Sequence, residues 1–196
     1  MIMTPATLLV LAAHCGPAVA PTTLAAVVRA ESGLDPFAIG VNAPARMQLS
    51  AASAAEAAAT ARRMLAAGDD VDLGLAQING RNLPRLGLSV EAAFDPCRNL
   101  AAAARLLRSG YALARPAVVG AQAALRIALS YYNTGRPDRG FANGYVARVT
   151  GDRAPPRGSM PTAMAAPGGW AVFAAPPAPR TSPPFVLEPQ ALGDAR

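Results

Sequence analysis

The sequence predicts a mainly α fold of the α+β kind. One helical domain carries a small strand or hairpin element beside a groove, and a disordered tail follows it. Three observations predict this. Hydrophobic residues make up 52% of 196 and charged residues 15%, enough for one domain with a sizeable core. Apolar residues recur at helical spacing through most of the chain, while only two short pieces read as strands. The composition then changes near Gly151, so the expected division is 1–151 for the domain and 152–196 for the tail.

Helical patterns cover 5–14, 22–32, 51–67, 91–94, 99–113 and 118–131, each bounded by Gly, Pro, Asn, Asp or Ser. The first lies in "TLLVLAAHCGPAVA", which imitates a secretion signal with Ala18 and Ala20 in an A-x-A arrangement. No basic residue precedes the apolar run, and cleavage after Ala20 would set Pro21 beside the scissile bond. Residues 5–14 therefore read as a core helix, export is not visibly encoded, and the run is too short to span a membrane. Thr22 or Thr23 can cap the second helix, and Ser50 or Ser53 the third. "FAIGVN" and "VDLGLAQIN" are the strand-like pieces; Gly74 inside the second marks a bend or a close backbone approach, and alternation puts Leu73, Leu75 and Gln77 on one face. Ile127 and Tyr131, with Leu125, line the inner face of the last helix, and Gly135 ends it. Ten of the 19 prolines lie between Pro155 and Pro189, where apolar periodicity vanishes. Such a segment buries too little surface to offset its ordering entropy. Within it, Trp170 and Phe173 of "GGWAVF" read as linker residues rather than a docking motif.

The net charge of +6 suggests an acidic partner, and all 18 basic residues are arginines. They are scattered, with no aromatic-interleaved basic motif, so no nucleic-acid partner is expected. A diffuse positive charge suits an anionic cell-wall glycan equally well. His14 is the one histidine, and Cys15 and Cys97 form no CxxC pair, so neither a metal site nor another cofactor is expected. The two cysteines read either as buried thiols of a cytosolic protein or as a disulfide in an oxidising compartment.

Glu31 is the residue that asks for explanation. With Leu24, Val27 and Val28 it falls at i, i+3, i+4 and i+7 of one helical stripe, three core residues and an acid. Ser32, Gly33 and Asp35-Pro36 end the helix there. An anion is disfavoured at a helix C-terminus and in an apolar stripe, and both effects favour a protonated carboxyl, as a general acid requires. Spacing alone leaves open a slight rotation that puts Glu31 in water.

Three islands share this chemistry: "ESGLDP" at 31–36, "DLGLAQING" at 72–80 and "ALSYYNTG" at 128–135. Each sets a polar side chain (Glu31, Gln77, Tyr132 with Asn133) among small or apolar neighbours. An acid, an amide and a phenol converging on a groove suit a carbohydrate. The islands resemble the Glu-Ser, Gly-Leu-Met-Gln-Ile and Ala-Tyr-Asn motifs of lysozyme-like lytic transglycosylases, in that order. With "CGPAVAPTTLAAVVRAESGLDP" and "RGFANGYVARV" at 139–149, residues 8 to 150 are similar to the peptidoglycan-cleaving component of bacterial type IV secretion systems. Ala76 stands where the pattern has Met, and Tyr131 where it has Ala.

The resemblance implies a lysozyme-like fold and cleavage of the MurNAc-β-1,4-GlcNAc bond without added water. Glu31 would protonate the glycosidic oxygen, the substrate's acetamido group would stabilise the cationic centre, and Glu31 would take the C6 hydroxyl proton as a 1,6-anhydro ring closes. Ser32 would support the loop, Gln77 would contact substrate or position the helix end, Asn79 would bind substrate or support the site, Tyr132 would orient Glu31 or an acetamido group, and Asn133 would hold the motif's backbone. The resemblance favours a Cys15–Cys97 disulfide, a periplasmic location, peptidoglycan strands as partner and a tail that docks other secretion-system components. Asp72 is the aspartate that could act as a second carboxylate, though a solvated strand-end residue is the commoner case. The rival functions are a hydrolytic muramidase of the same fold and a non-catalytic wall-binding assembly module.

Overall fold

The computed structural model describes residues 2–42 and 47–152. The tail, with Trp170, Phe173 and the prolines from Pro155 onward, lies outside the described residues, so the expectation of a disordered tail and its boundary is not addressed by them.

Helix α1 spans Pro5–Cys15 and starts where the Thr4 hydroxyl accepts from the Thr7 amide. It packs through Leu8 and Ala12, while Val10 faces solvent. Helix α2 spans Pro21–Glu31. Its first residue is proline, whose fixed φ and missing N–H suit that position. The expected threonine cap is replaced: Ala20 occupies the N-cap and Thr22 and Thr23 lie inside the first turn.

Strands β1 (Ala38–Val41), β2 (Met47–Ser50), β3 (Val71–Leu73) and β4 (Ile78–Asn79) form one antiparallel sheet in the order β2-β1-β3-β4. "FAIGVN" supplies β1 as expected. β2 is an exposed edge strand of four residues, too short for its alternation to register as a pattern. "VDLGLAQIN" is a hairpin rather than one strand, which corrects the single face assigned to Leu73, Leu75 and Gln77. Gly74 turns the chain at φ +74°, Gln77 sits at φ +50°, and Leu75 and Ala76 plunge into the core from the turn. A Cβ at Gly74 would come within 2.5 Å of Asn99 Nδ2, so the turn needs glycine for both conformation and space.

Helix α3 (Ala54–Ala66) begins at Ser53, whose hydroxyl accepts from the Glu56 amide. Two short helices follow, α4 (Leu83–Leu86) and α5 (Val90–Ala93); the first was not legible because a proline sits inside its four residues. Helix α6 (Pro96–Ala114) is the longest of the described helices and starts three residues before its expected bound, on the Asp95 cap and Pro96. Helix α7 runs over Ala121–Thr134 rather than 118–131: Gly120 turns the chain at φ +97° before it, and the left-handed Gly135 closes it. Helices α8 (Arg139–Ala142) and α9 (Tyr145–Thr150) complete the domain.

One apolar core joins α1, α2, α6, α7, α9 and the inner face of the sheet around Leu24, Val27, Leu73, Phe94, Leu100 and Leu129. A smaller cluster of Ala114, Ala124, Ile127 and Tyr131 seals α7 against the end of α6, as the inner-face reading of Ile127 and Tyr131 requires; Leu125 is only partly buried. A disulfide between Cys15 and Cys97, 82 residues apart in sequence, ties the end of α1 to the first turn of α6. The architecture is lysozyme-like: a helical body with a small antiparallel sheet on one side.

Candidate active site

Glu31 is the last residue of α2, and the stripe beneath it is wholly inside: Leu24, Val27 and Val28 are fully buried. The carboxylate itself is half-buried, at the mouth of a groove. Ser32 caps the helix end and is buried, its hydroxyl 3.4 Å from the Val28 carbonyl oxygen. It stands behind the groove and does not line it. Gly33 and Leu34 both take positive φ, which turns the chain away at once and leaves the carboxylate at the edge of the fold's interior.

Across from α2, the Tyr145 hydroxyl donates to Glu31 Oε1 at 2.6 Å. Tyr145 is the first residue of α9 and is almost wholly buried. Tyr132, from α7, is buried beside them, and its hydroxyl donates to the Ala76 carbonyl oxygen at 2.6 Å. It thus reads the hairpin turn rather than Glu31 directly. Burial first, and then the neighbouring Glu31 charge, push both phenols well above the ordinary tyrosine value. Both therefore remain protonated donors at any working pH.

The hairpin turn delivers Gln77. Its Nε2 donates to the carbonyl oxygens of Gly74, at 2.9 Å, and Ala38, at 3.2 Å. Those bonds fix the amide with its Oε1 over β1, where a Cβ on Gly40 would lie 2.5 Å from it. Gly40 is therefore the space in which Gln77 sits. Asn133 follows Tyr132 on α7, and its Oδ1 accepts from Asn143 Nδ2 at 2.8 Å. Asn79, buried on β4, donates through Nδ2 to Asp72 Oδ1 at 2.8 Å and Asp70 Oδ1 at 2.6 Å. Asn42 donates to Asp72 Oδ2 at 2.9 Å. Asp72 is thus not the solvated strand-end residue expected: amides hold both its oxygens inside the groove.

The groove has two lobes, of about 290 and 340 Å³, that share Glu31, Asp72, Gln77 and Asn133. Glu31 stands where they meet. One lobe is also lined by Met47, Gln48 and Arg148; the other is also lined by Tyr132, Asp70 and Arg81, the last two of which pair at 3.4 Å. An open, amide-rich cleft with the Glu31 carboxyl where its lobes meet can hold a chain of polar rings on both sides of a bond and offer a proton between them.

Of the sequence-predicted residues, Glu31, Gln77, Asn79, Tyr132 and Asn133 converge here, and Ser32 supports from behind. Tyr145 was missed as a functional residue. Its signal was "GFANGYV", 114 residues from Glu31, and no local pattern links the two. Asn42, Asn143 and Arg148 were missed for the same reason.

The family described as Transglycosylase SLT domain matches residues 9–151. "Protein virB1" of Rhizobium radiobacter is 44% identical over 138 residues, which is 70% of this chain and 57% of that protein. "Type IV secretion system protein virB1" of Brucella abortus (strain 2308) is 44% identical over 134 residues, 68% of this chain and 56% of that protein. The chain thus spans little more than half the length of these curated relatives. No solved structure matches the chain at a significant level. The three motifs, the helical body with its small sheet and the groove around Glu31 agree with a family match over most of the sequence: this chain belongs to the transglycosylase SLT domain family.

Proposed function

We propose that this chain is a peptidoglycan lytic transglycosylase that cuts the MurNAc-β-1,4-GlcNAc bond with Glu31 as its acid and base. The observation that carries the reading is the position of Glu31: a half-buried carboxylate at the junction of two lobes, with the Tyr145 hydroxyl on Oε1, while Asp72, which shares that junction, has its oxygens held by Asn42 and Asn79. Glu31 gives its proton to the glycosidic oxygen. The substrate's acetamido oxygen supports the cationic carbon, and Glu31 recovers a proton from the C6 hydroxyl as the 1,6-anhydro ring closes. One carboxylate is enough for this cycle, unlike the two of most glycosidases. Gln77 Oε1 and the Asn133 amide are offered to sugar hydroxyls and acetamido groups, Asn79 holds Asp70 and Asp72 in place, and Tyr132 holds the hairpin turn that presents Gln77.

Asp72 favours one rival, a hydrolytic muramidase, because it lines both lobes. Asn42 and Asn79 engage both its oxygens, which commits them to positioning rather than to attack. Mass spectrometry of muropeptides from digested sacculi separates the two: anhydro ends are expected, and reducing ends would transfer the assignment to the hydrolase. Glu31→Gln should abolish cleavage while the thermal melt stays close to wild type, since the neutral isostere fits the same site. Near-normal clearing by a folded Glu31→Gln protein would remove Glu31 from the chemistry.

The names of the relatives support a place in a type IV secretion system, where local opening of the wall would serve assembly. The Cys15–Cys97 disulfide supports an oxidising compartment, and the wall substrate supports the periplasm. Among the described residues no helix is long and apolar enough to cross a membrane. We assign residues 1–151 to the catalytic domain and residues 152–196 to docking with other secretion-system components.

A further inference from the structure

Arg148 lines the Met47–Gln48 lobe. It is exposed, its guanidinium carbon is 5.7 Å from the centroid of the Tyr145 ring, and Nη1 is 3.4 Å from the Asn143 carbonyl oxygen. The opposite lobe also holds a cation, Arg81, but Asp70 answers it there. Arg148 enters none of the ion pairs formed among the described residues. An arginine stacked on a rigid, buried ring is pre-organised: little of its fork's freedom is left to lose when it binds. Its planar donors match a carboxylate.

We propose that Arg148 binds a carboxylate carried on the lactyl arm of a muramyl sugar lying in the Met47–Gln48 lobe. The proposal rests on the peptidoglycan reading above. In a strand of alternating sugars, the rings and acetamido groups are neutral; negative charge sits only on the lactyl arm, either as its own carboxylate or on the peptide stem attached to it. Among the described residues Arg148 is the groove-lining arginine outside any ion pair, so it sets which sugar faces its lobe, and with it the direction in which a strand lies across Glu31. The amide-lined lobe with its internally paired Arg81 and Asp70 receives the uncharged neighbour.

The test measures binding by the inert Glu31→Gln protein, with and without Arg148→Ala, to four probes: stem-bearing glycan strands, strands stripped by an amidase so that the lactyl carboxylate is exposed, and each of these after carbodiimide amidation of its carboxyls. Arg148→Ala should weaken binding of an anionic probe by about threefold to tenfold, as befits a partly exposed charge pair. The amidated counterparts should change by less than about twofold, and the difference should shrink as salt is raised. A loss on stem-bearing strands alone places the charge on the stem; a loss on stripped strands places it on the arm; either supports the proposal. Arg148→Lys should recover part of the loss. An equal loss on charged and amidated strands would mean that Arg148 merely braces Tyr145, and no loss on any probe would mean that it meets no anion; either overturns the proposal and leaves the function standing. If the Glu31→Gln protein binds none of the strands, the reading of the groove falls, and the proposal with it.

Discussion

Glu31 is held by a residue that no local pattern supplies. The Tyr145 hydroxyl donates to Oε1 at 2.6 Å. Tyr145→Phe should lower the rate of wall cleavage by about tenfold to a hundredfold, because a loosened acid misses its geometry, while the products remain anhydro. Product analysis beside a melt checks this; unaltered turnover would show that Glu31 needs no such support. The phenols make a second prediction. Tyr132 and Tyr145 have pKa values raised by burial and by Glu31, so the folded state holds their protons longer than the unfolded state does. Their contribution to stability is complete below the unfolded value of about 10 and is lost as pH rises beyond it toward the folded values. In an ultraviolet titration these two phenols should ionise only with unfolding, which four phenols ionising together near that pH in folded protein would contradict.

At the scale of elements, the hairpin between β3 and β4 decides the site, and Asn99 of α6 decides the hairpin. Asn99 is fully buried. Its Oδ1 accepts from the Ala76 amide at 2.8 Å, and its Nδ2 donates to the carbonyl oxygens of Leu73, at 2.9 Å, and Ala93, at 2.7 Å. One side chain thus satisfies backbone on both sides of a turn that has little regular structure of its own. Asn99→Ala leaves those groups buried without partners and should cost about 3 kcal/mol or more. Because Gln77 and the Ala76 carbonyl that receives Tyr132 ride on the same turn, activity should fall further than stability alone explains. A melt and a cleavage assay run below the transition separate the two effects; a mutant as stable as wild type would show that the turn holds itself.

For the molecule as a whole, the Cys15–Cys97 bridge restrains the unfolded chain, and closing a loop of that length contributes about 4 to 5 kcal/mol on the chain-entropy account. The last described residue, Asp152, pairs with Arg126 of α7 at 2.7 Å, so the domain is fastened up to that point. A chain ending at Asp152 should therefore digest peptidoglycan and melt close to the full-length protein, yet complement a deletion strain poorly in a secretion assay. Loss of cleavage in vitro by the shortened protein would place part of the tail in the groove and move the boundary.

The sequence by itself determined the helical body, the apolar stripe that presents Glu31 and the three islands around it. Each of those rests on short-range signals: the stripe of Leu24, Val27 and Val28 beneath Glu31, the glycines at helix ends, and turn chemistry at Gly74. Bounds drifted where signals competed, as at Pro96 and Gly120. The tertiary structure alone decided the rest. That "VDLGLAQIN" folds back as a hairpin depends on Asn99, twenty or more residues away, and that Asp72 is held in the groove depends on Asn42 and Asn79. Tyr145 reaches Glu31 across 114 residues because α2 and α9 pack on the same core. A helical period reports which side of a segment is apolar; it carries no record of which distant side chain will complete its hydrogen bonds, because that partner is fixed by packing between elements.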